Sequence, residues 1–317
     1  MVGGARLPRR ALSRLTTPVP PETARPPAPR GDLALLGVAV LAVSTSGPLI
    51  RYAAAPALAI AMWRNALALP ALAIPAWRAR RPDRREARLI ALSGVFLAAH
   101  FATWVPSLSY TSVASSVALV ATQPVWAALI ARARGEHVHR QVWIGIGVAL
   151  VGVLVLSGVD LSISPRALFG DLLAMVGGAL AAAYVSVGSE VRRSVGTAVY
   201  TTGCYGVASA LLLLACLVSG RPIAGFSTAT WLAIAALVVG PQLLGHTLVN
   251  TVLRSITATA VSVAILFEVV GATVIAALWF GETPPLAAIP AGLLIFSGII
   301  VVIRAGRRRP VEGAPLG

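Results

Sequence analysis

The sequence predicts an all-α integral membrane protein: ten transmembrane helices arranged as two inverted five-helix repeats. Three observations predict it. The first is apolarity. Of 317 residues, 57% are hydrophobic and 12% charged, with a mean hydropathy of +0.83, which is too apolar for a soluble chain of this length. The second is internal repetition. Shifted forward by 146 residues, Phe96–Glu136 lands on Gln242–Glu282. His100 then meets His246, Thr111 meets Thr257, Ser116-Val117-Ala118 meets Ser262-Val263-Ala264, and Gly135-Glu136 meets Gly281-Glu282; further on, Gly152 meets Gly298. The third is where the arginines fall.

A spanning helix needs ~20 mostly apolar residues. Ten segments qualify: 32–50, 56–77, 87–109, 112–132, 141–158, 169–188, 198–218, 229–251, 256–280 and 285–304. Residues 1–30 form a disordered basic tail, rich in proline and arginine, without the apolar run of a signal peptide. Residues 31–165 are the first five-helix repeat, 166–304 the second, and 305–317 a basic C-terminal tail. An odd number of spans per repeat places the second copy upside down in the membrane. All 26 basic residues are arginine, and 22 of them fall in the two tails and the 2–3, 4–5, 6–7 and 8–9 joins. The alternate joins hold only Arg51, Arg166 and Arg221. Positive charge marks the cytoplasmic side, so both termini are expected there. The net charge of +15 is on this reading a topology signal. No nucleic-acid partner is expected, and the lipid bilayer is.

Several local expectations follow along the chain. Gly31-Asp32-Leu33 and Gly170-Asp171-Leu172 open the two halves, each aspartate capping free N–H groups at a helix start. Pro48 should kink helix 1 and Pro124 helix 4. Gly135 and Gly281 read as helix stops. The small residues Gly145-Ile146-Gly147 and Gly177-Gly178 permit close helix packing. Glu190 reads as an interfacial ion pair with the adjacent Arg192 and Arg193. Cys204 and Cys216 lie on one helix ~18 Å apart, too far to bridge.

Polar residues at membrane depth are the candidates for chemistry, because a charge at the bilayer centre costs ~2.5–3.5 kcal/mol and so faces the bundle interior. Arg64 in helix 2, His100 in helix 3, His246 in helix 8 and Glu268 in helix 9 meet that test. Arg64 could instead pair structurally with Glu268, and each histidine could simply bond a neighbouring carbonyl. Gln242, His246 and Asn250 recur every four residues and form one polar stripe on helix 8. Trp104, Trp126, Tyr184 and Tyr205 could wall a ligand site. His137 and His139 read as surface residues.

An enzyme is the rival class. There is no Gly-x-Ser-x-Gly elbow, no His-Glu-x-x-His pair and no P-loop. A metal site of His100, His246 and Glu268 is conceivable by ligand type, but the repeat explains the two histidines more simply. No cofactor and no metal are expected, and a non-transporting membrane scaffold or receptor remains a third class.

Taken together, these residues resemble the drug/metabolite transporter superfamily, in its EamA-type branch. The resemblance covers residues ~32–304. It is carried by Trp63-Arg64, His100-Phe101 with Trp104, Leu108 and Tyr110-Thr111-Ser112. Ala121-Thr122-Gln123-Pro124-Val125 running to Gly135-Glu136 and Leu244-Gly245-His246-Thr247 with Asn250 add to it, as does Phe267-Glu268-Val269 running to Gly281-Glu282. Val269 stands where the family usually has proline, which removes the usual cause of a helix break beside Glu268. The resemblance implies a secondary transporter that exports a small metabolite, such as an amino acid or related compound, by alternating access around a midplane site. Its expected substrate-binding residues are Arg64, His100, Trp104, Gln123, Gln242, His246, Asn250 and Glu268. A proton is the candidate coupling ion, carried by Glu268 or a histidine.

Overall fold

The computed structural model describes residues 30–111, 113–157, 164–280 and 288–307. Ser112, most of the N-terminal tail and Gly281-Glu282 lie outside the described residues. Regular structure among the described residues is entirely helical. In chain order the helices are α1 (Arg30–Tyr52), α2 (Ala57–Trp77), α3 (Arg84–Ser107), α4 (Val113–Val120 and, after a turn, Gln123–Ala133), α5 (Arg140–Ser157), α6 (Pro165–Val191), α7 (Thr197–Val218), α8 (Thr228–Val252), α9 (Ala258–Trp279) and α10 (Ala288–Arg307). Seven of these, all but α4, α5 and α10, are long and apolar enough to cross a membrane, and α5 and α10 contain shorter apolar stretches. Large apolar side chains such as Trp77, Leu278, Ile289 and Leu293 stand on the outside, a surface suited to lipid rather than water.

Helix breaks follow the sequence at most points. α1 turns at Thr45, just ahead of Pro48, and α4 turns at Ala121-Thr122, just ahead of Pro124. Proline lacks the N–H that would continue the ladder. Gly135 ends α4 in the left-handed conformation, φ 81°, and the Glu136 N–H returns to the Ala131 carbonyl at 3.0 Å, a glycine stop as expected. Two features were not legible. α9 is broken at Leu266, one residue before the point matching the break in α4, although no proline is present. Between Val238 and His246, α8 runs as a π-helix around Pro241; its wider turn accommodates the missing donor.

One expectation is corrected. α6 starts at Pro165, with the Ser164 hydroxyl accepting from Ala167 N–H. Asp171 therefore lies inside the helix and is not its cap. Asp32, in the first turn of α1, accepts instead from the Ser255 hydroxyl in the 8–9 join.

The packing has a pattern. α3 and α4 pack on α6, while α8 and α9 pack on α1; α2 meets α7, α4 meets α9 and α5 meets α10. Exchanging every helix with the one five places along returns these same principal contacts, although α6 also touches α9 while α1 has no comparable contact with α4. The α5–α10 crossing shows the exchange in atoms. A Cβ on Gly298 would stand 2.5 Å from the Gly145 carbonyl, and one on Gly152, which matches Gly298 in the repeat, would stand 2.7 Å from the Ala291 carbonyl. The two backbones touch where a side chain cannot fit. Gly147, one residue beyond Ile146, meets nothing within 4 Å.

The joins sort to two sides. Arg85, at the start of α3, bonds Glu190 at the end of α6, and Arg134, at the end of α4, approaches the same carboxylate. At the other side Arg166 donates to the Ser109 carbonyl at 3.1 Å, linking the 5–6 and 3–4 joins. Trp63 donates to Ile223 in the 7–8 join at 2.7 Å. The ion pair expected at Glu190 thus exists, and Arg85 and Arg134 take part in it, while Arg192 Nε donates to the Asn250 carbonyl instead.

Candidate functional site

The helix breaks and the paired repeats converge on one cleft. Together with the open solvent at its mouth it spans about 750 Å³ of non-atom space, and it is lined from six helices: α1, α3, α4, α6, α8 and α9. His100, Trp104, Gln123, His246 and Glu268 all stand in its wall, joined by Ser46, Tyr184 and Ser262.

On α3, His100 and Trp104 are one turn apart and stack, ring centroids 5.6 Å apart and 11° from parallel. His100 Nδ1 lies 2.9 Å from the Gly177 carbonyl. A carbonyl only accepts, so Nδ1 carries the hydrogen, and Nε2 of the neutral ring is left as an acceptor. The expected histidine–carbonyl bond is present, and the ring faces the cleft as well. Trp104 is 4% exposed, which places it in the wall and not at the membrane surface. Its indole N–H is buried with no hydrogen-bond partner. His246 comes from the π-helical stretch of α8 and reaches the same region, 5.6 Å from the Phe101 ring and 6.3 Å from Tyr184. The two repeat-matched histidines therefore both neighbour the Phe101 ring, at 4.9 and 5.6 Å between centroids.

The break in α4 presents Gln123, whose amide donates to Ser262 Oγ of α9 at 2.9 Å. The break in α9 presents Glu268 in the first turn of its second piece. A carboxylate there faces the positive end of that piece's dipole. Among the described residues no ion pair joins Arg64 to Glu268, so the pairing considered from sequence is replaced by another arrangement.

Arg64 is fully buried behind the cleft. Its Nε donates to Gln242 Oε1 at 2.9 Å and Nη1 to Ser46 Oγ at 3.2 Å, and the guanidinium lies over the Phe101 ring at 4.5 Å. Gln242 passes the chain on, donating to Asn65 Oδ1 at 3.0 Å. A permanently charged group is thus satisfied by amide, hydroxyl and ring, and one nitrogen, Nη2, is left without a partner. Asn250 is also fully buried. Its amide donates to the Tyr184 hydroxyl at 2.6 Å, and its carbonyl backbone receives Arg192 Nε at 2.8 Å. Of the eight expected site residues, five line the cleft, while Arg64, Gln242 and Asn250 form a buried layer behind it. The helix-8 stripe is split accordingly, His246 in the wall and its neighbours inside.

Sequence reasoning missed Ser46, Asn65 and Ser262. Ser262 carried a signal, since it is the repeat partner of Ser116. Ser46 stood beside Pro48 at a foreseen kink. Tyr205 is buried away from the cleft and bonds Thr247 at 3.2 Å. Among the described residues no three His, Cys, Asp or Glu side chains are grouped to hold a metal ion.

The profile of the EamA-like transporter family matches residues 30–158 and again 168–304. The chain belongs to the EamA-like transporter family. Membership makes it a multi-pass membrane protein of the drug/metabolite transporter superfamily, built from two family repeats. A crystal structure of a protein 20% identical in sequence superposes with a TM-score of 0.72, over 88% of this chain and 99% of the other. That likeness speaks for the fold alone. No curated protein matches the chain in sequence.

Proposed function

We propose that this EamA-family protein is a secondary transporter that exports a small amphipathic metabolite bearing a carboxylate, by alternating access around the central cleft. The observation that carries the reading is the cleft itself: repeat-matched His100 and His246 share it with Glu268, between halves whose principal helix contacts match. Ten spans in two inverted repeats, 31–165 and 166–304, give that arrangement, with both termini in the cytoplasm of a plasma-membrane protein. The inward arginines support the orientation. Reporters fused at Gly317 and within the 2–3 join are expected to read cytoplasmic; an external signal at either contradicts the inverted repeat.

In this reading the substrate's apolar part lies against the His100–Trp104 stack. Its acceptor oxygens meet the donors that are still open, the Trp104 indole and the Tyr184 hydroxyl, which receives Asn250 and so keeps its own hydrogen to give. Arg64 supplies the positive charge behind them, its open Nη2 reaching a carboxylate past Ser46. Glu268 carries the coupled proton, since a buried carboxylate can change charge near neutral pH. Metabolite efflux from cells with and without the protein, over a broad panel of carboxylates and their neutral amides, tests this. The expected result is faster loss of at least one carboxylate and not of its amide. Equal efflux across the whole panel overturns the reading.

A further inference from the structure

The arginine-rich side holds a cluster of charged groups that the cleft does not use. Glu190, near the end of α6, accepts from Arg85 Nη2 at 2.8 Å, and Arg134 Nη1 stands 3.9 Å from its other oxygen. Arg134 also donates to the Ser186 carbonyl of α6 at 3.4 Å. Beside them Glu86, in the first turn of α3, accepts twice from Arg80, at 2.7 and 2.8 Å, and once from Ser194 Oγ at 2.7 Å. Arg85, Glu86 and Arg134 lie in the first matched repeat, and Ser186, Glu190 and Ser194 in the second. Apart from the Arg80–Glu86 pair, each of these bonds crosses from one half to the other.

Farther along, the same three helices line the cleft, α3 through His100 and Trp104, α4 through Gln123 and α6 through Tyr184. On the alternating-access reading, the cleft opens toward the arginine-rich side as α6, of the second half, parts from α3 and α4 of the first. That motion separates Glu190 from both arginines and Ser194 from Glu86.

We propose that this cluster is an ionic latch that holds the arginine-rich mouth of the cleft shut. The inference rests on the alternating-access reading. The groups are partly solvated, Arg85 81% exposed and Glu190 36%, and such pairs are individually weak. Weakness suits a gate that must open in every cycle, because a latch of tight buried pairs would trap one state. Removing one exposed pair shifts a two-state equilibrium by about two- to fivefold, so losing both Glu190 pairs is expected to give about a tenfold shift.

The test uses the full chain in membrane vesicles with Cys204→Ala and Cys216→Ala, and with Ala181→Cys as a reporter thiol in the cleft wall. A membrane-impermeant maleimide is applied to the arginine-rich face in one vesicle orientation and to the opposite face in the other. In Glu190→Gln and in Arg85→Glu, labelling from the arginine-rich face is expected to rise about tenfold and two- to fivefold respectively, with a fall from the opposite face. The double exchange Arg85→Glu with Glu190→Arg is expected to bring the rate back toward the parent's. If the parent thiol is reached from both faces and neither single variant changes the rates, the latch alone is overturned. If the thiol is reached from one face only in every variant, the alternating-access reading falls as well.

Discussion

Gly298→Val is expected to abolish accumulation of folded protein. A Cβ at that position meets the Gly145 carbonyl at 2.5 Å and Ala149 at 2.7 Å. Backbone atoms cannot swing aside as a long side chain can, so α10 has to lift off α5. Overpacking a core costs ~1–3 kcal/mol when side chains give way, and this contact sits at the upper end or beyond. Gly145→Val meets the Gly298 carbonyl at 2.9 Å and Val302 more closely still, and should behave alike. Gly147→Val faces open space and should leave the protein as abundant and heat-resistant as the parent. Detergent-extracted yield and melting temperature report all three. A parent-like Gly298→Val contradicts the crossing described above.

Arg64→Ala carries the next largest expected effect. It strands Gln242 Oε1 and Ser46 Oγ and empties the space over Phe101. A void of that kind with unpaired polar atoms costs about 2–5 kcal/mol. Arg64→Lys keeps the charge but loses the planar fork that reaches Gln242 and Ser46 together. Its stability should recover part of the loss, while affinity for the transported carboxylate stays about 10- to 100-fold weaker, the worth of one charge-assisted hydrogen bond. Thermal denaturation and concentration-dependent flux separate the two roles. If Arg64→Ala matches the parent in both, the residue neither supports the bundle nor serves the substrate.

Much of the fold is legible in the sequence because membranes restrict the choices: helices must satisfy their own backbone, and an apolar run of about 20 residues has one outcome. The kinks at Pro48 and Pro124 and the stop at Gly135 are local chemistry, so they were readable too. The break at Leu266 was not. It arises where α9 meets its repeat partner α4, and no residue at that point announces it. The π-helical stretch of α8 packs against α1, and the lone Pro241 within it announces a kink rather than a π-turn. Asp171 was misread because Gly-Asp-Leu resembles a helix start, whereas the Ser164-Pro165 pair upstream provides the stronger one.

Depth in the membrane was a good guide to which residues gather, and a poor guide to which ones face the cleft. Arg64 bonds Gln242 and Ser46 behind the wall, Gln242 bonds Asn65, and Asn250 bonds Tyr184, because a buried charge needs hydrogen bonds before it needs a ligand. The stripe on α8 could not reveal this, since periodicity fixes a face of a helix and not what stands opposite. Arg192 was misassigned for a related reason. It reads as an interfacial partner of Glu190, yet it is 4% exposed and holds the α8 backbone at Asn250.

The most direct measurement is flux of a carboxylate found in the efflux panel, followed across a range of pH in vesicles holding the parent, Tyr184→Phe or Glu268→Gln. The cleft account predicts saturable flux in the parent that changes with pH. It predicts weaker apparent affinity with the same pH profile in Tyr184→Phe, and flux that no longer responds to pH in Glu268→Gln. Parent-like affinity and pH response in both variants would contradict it.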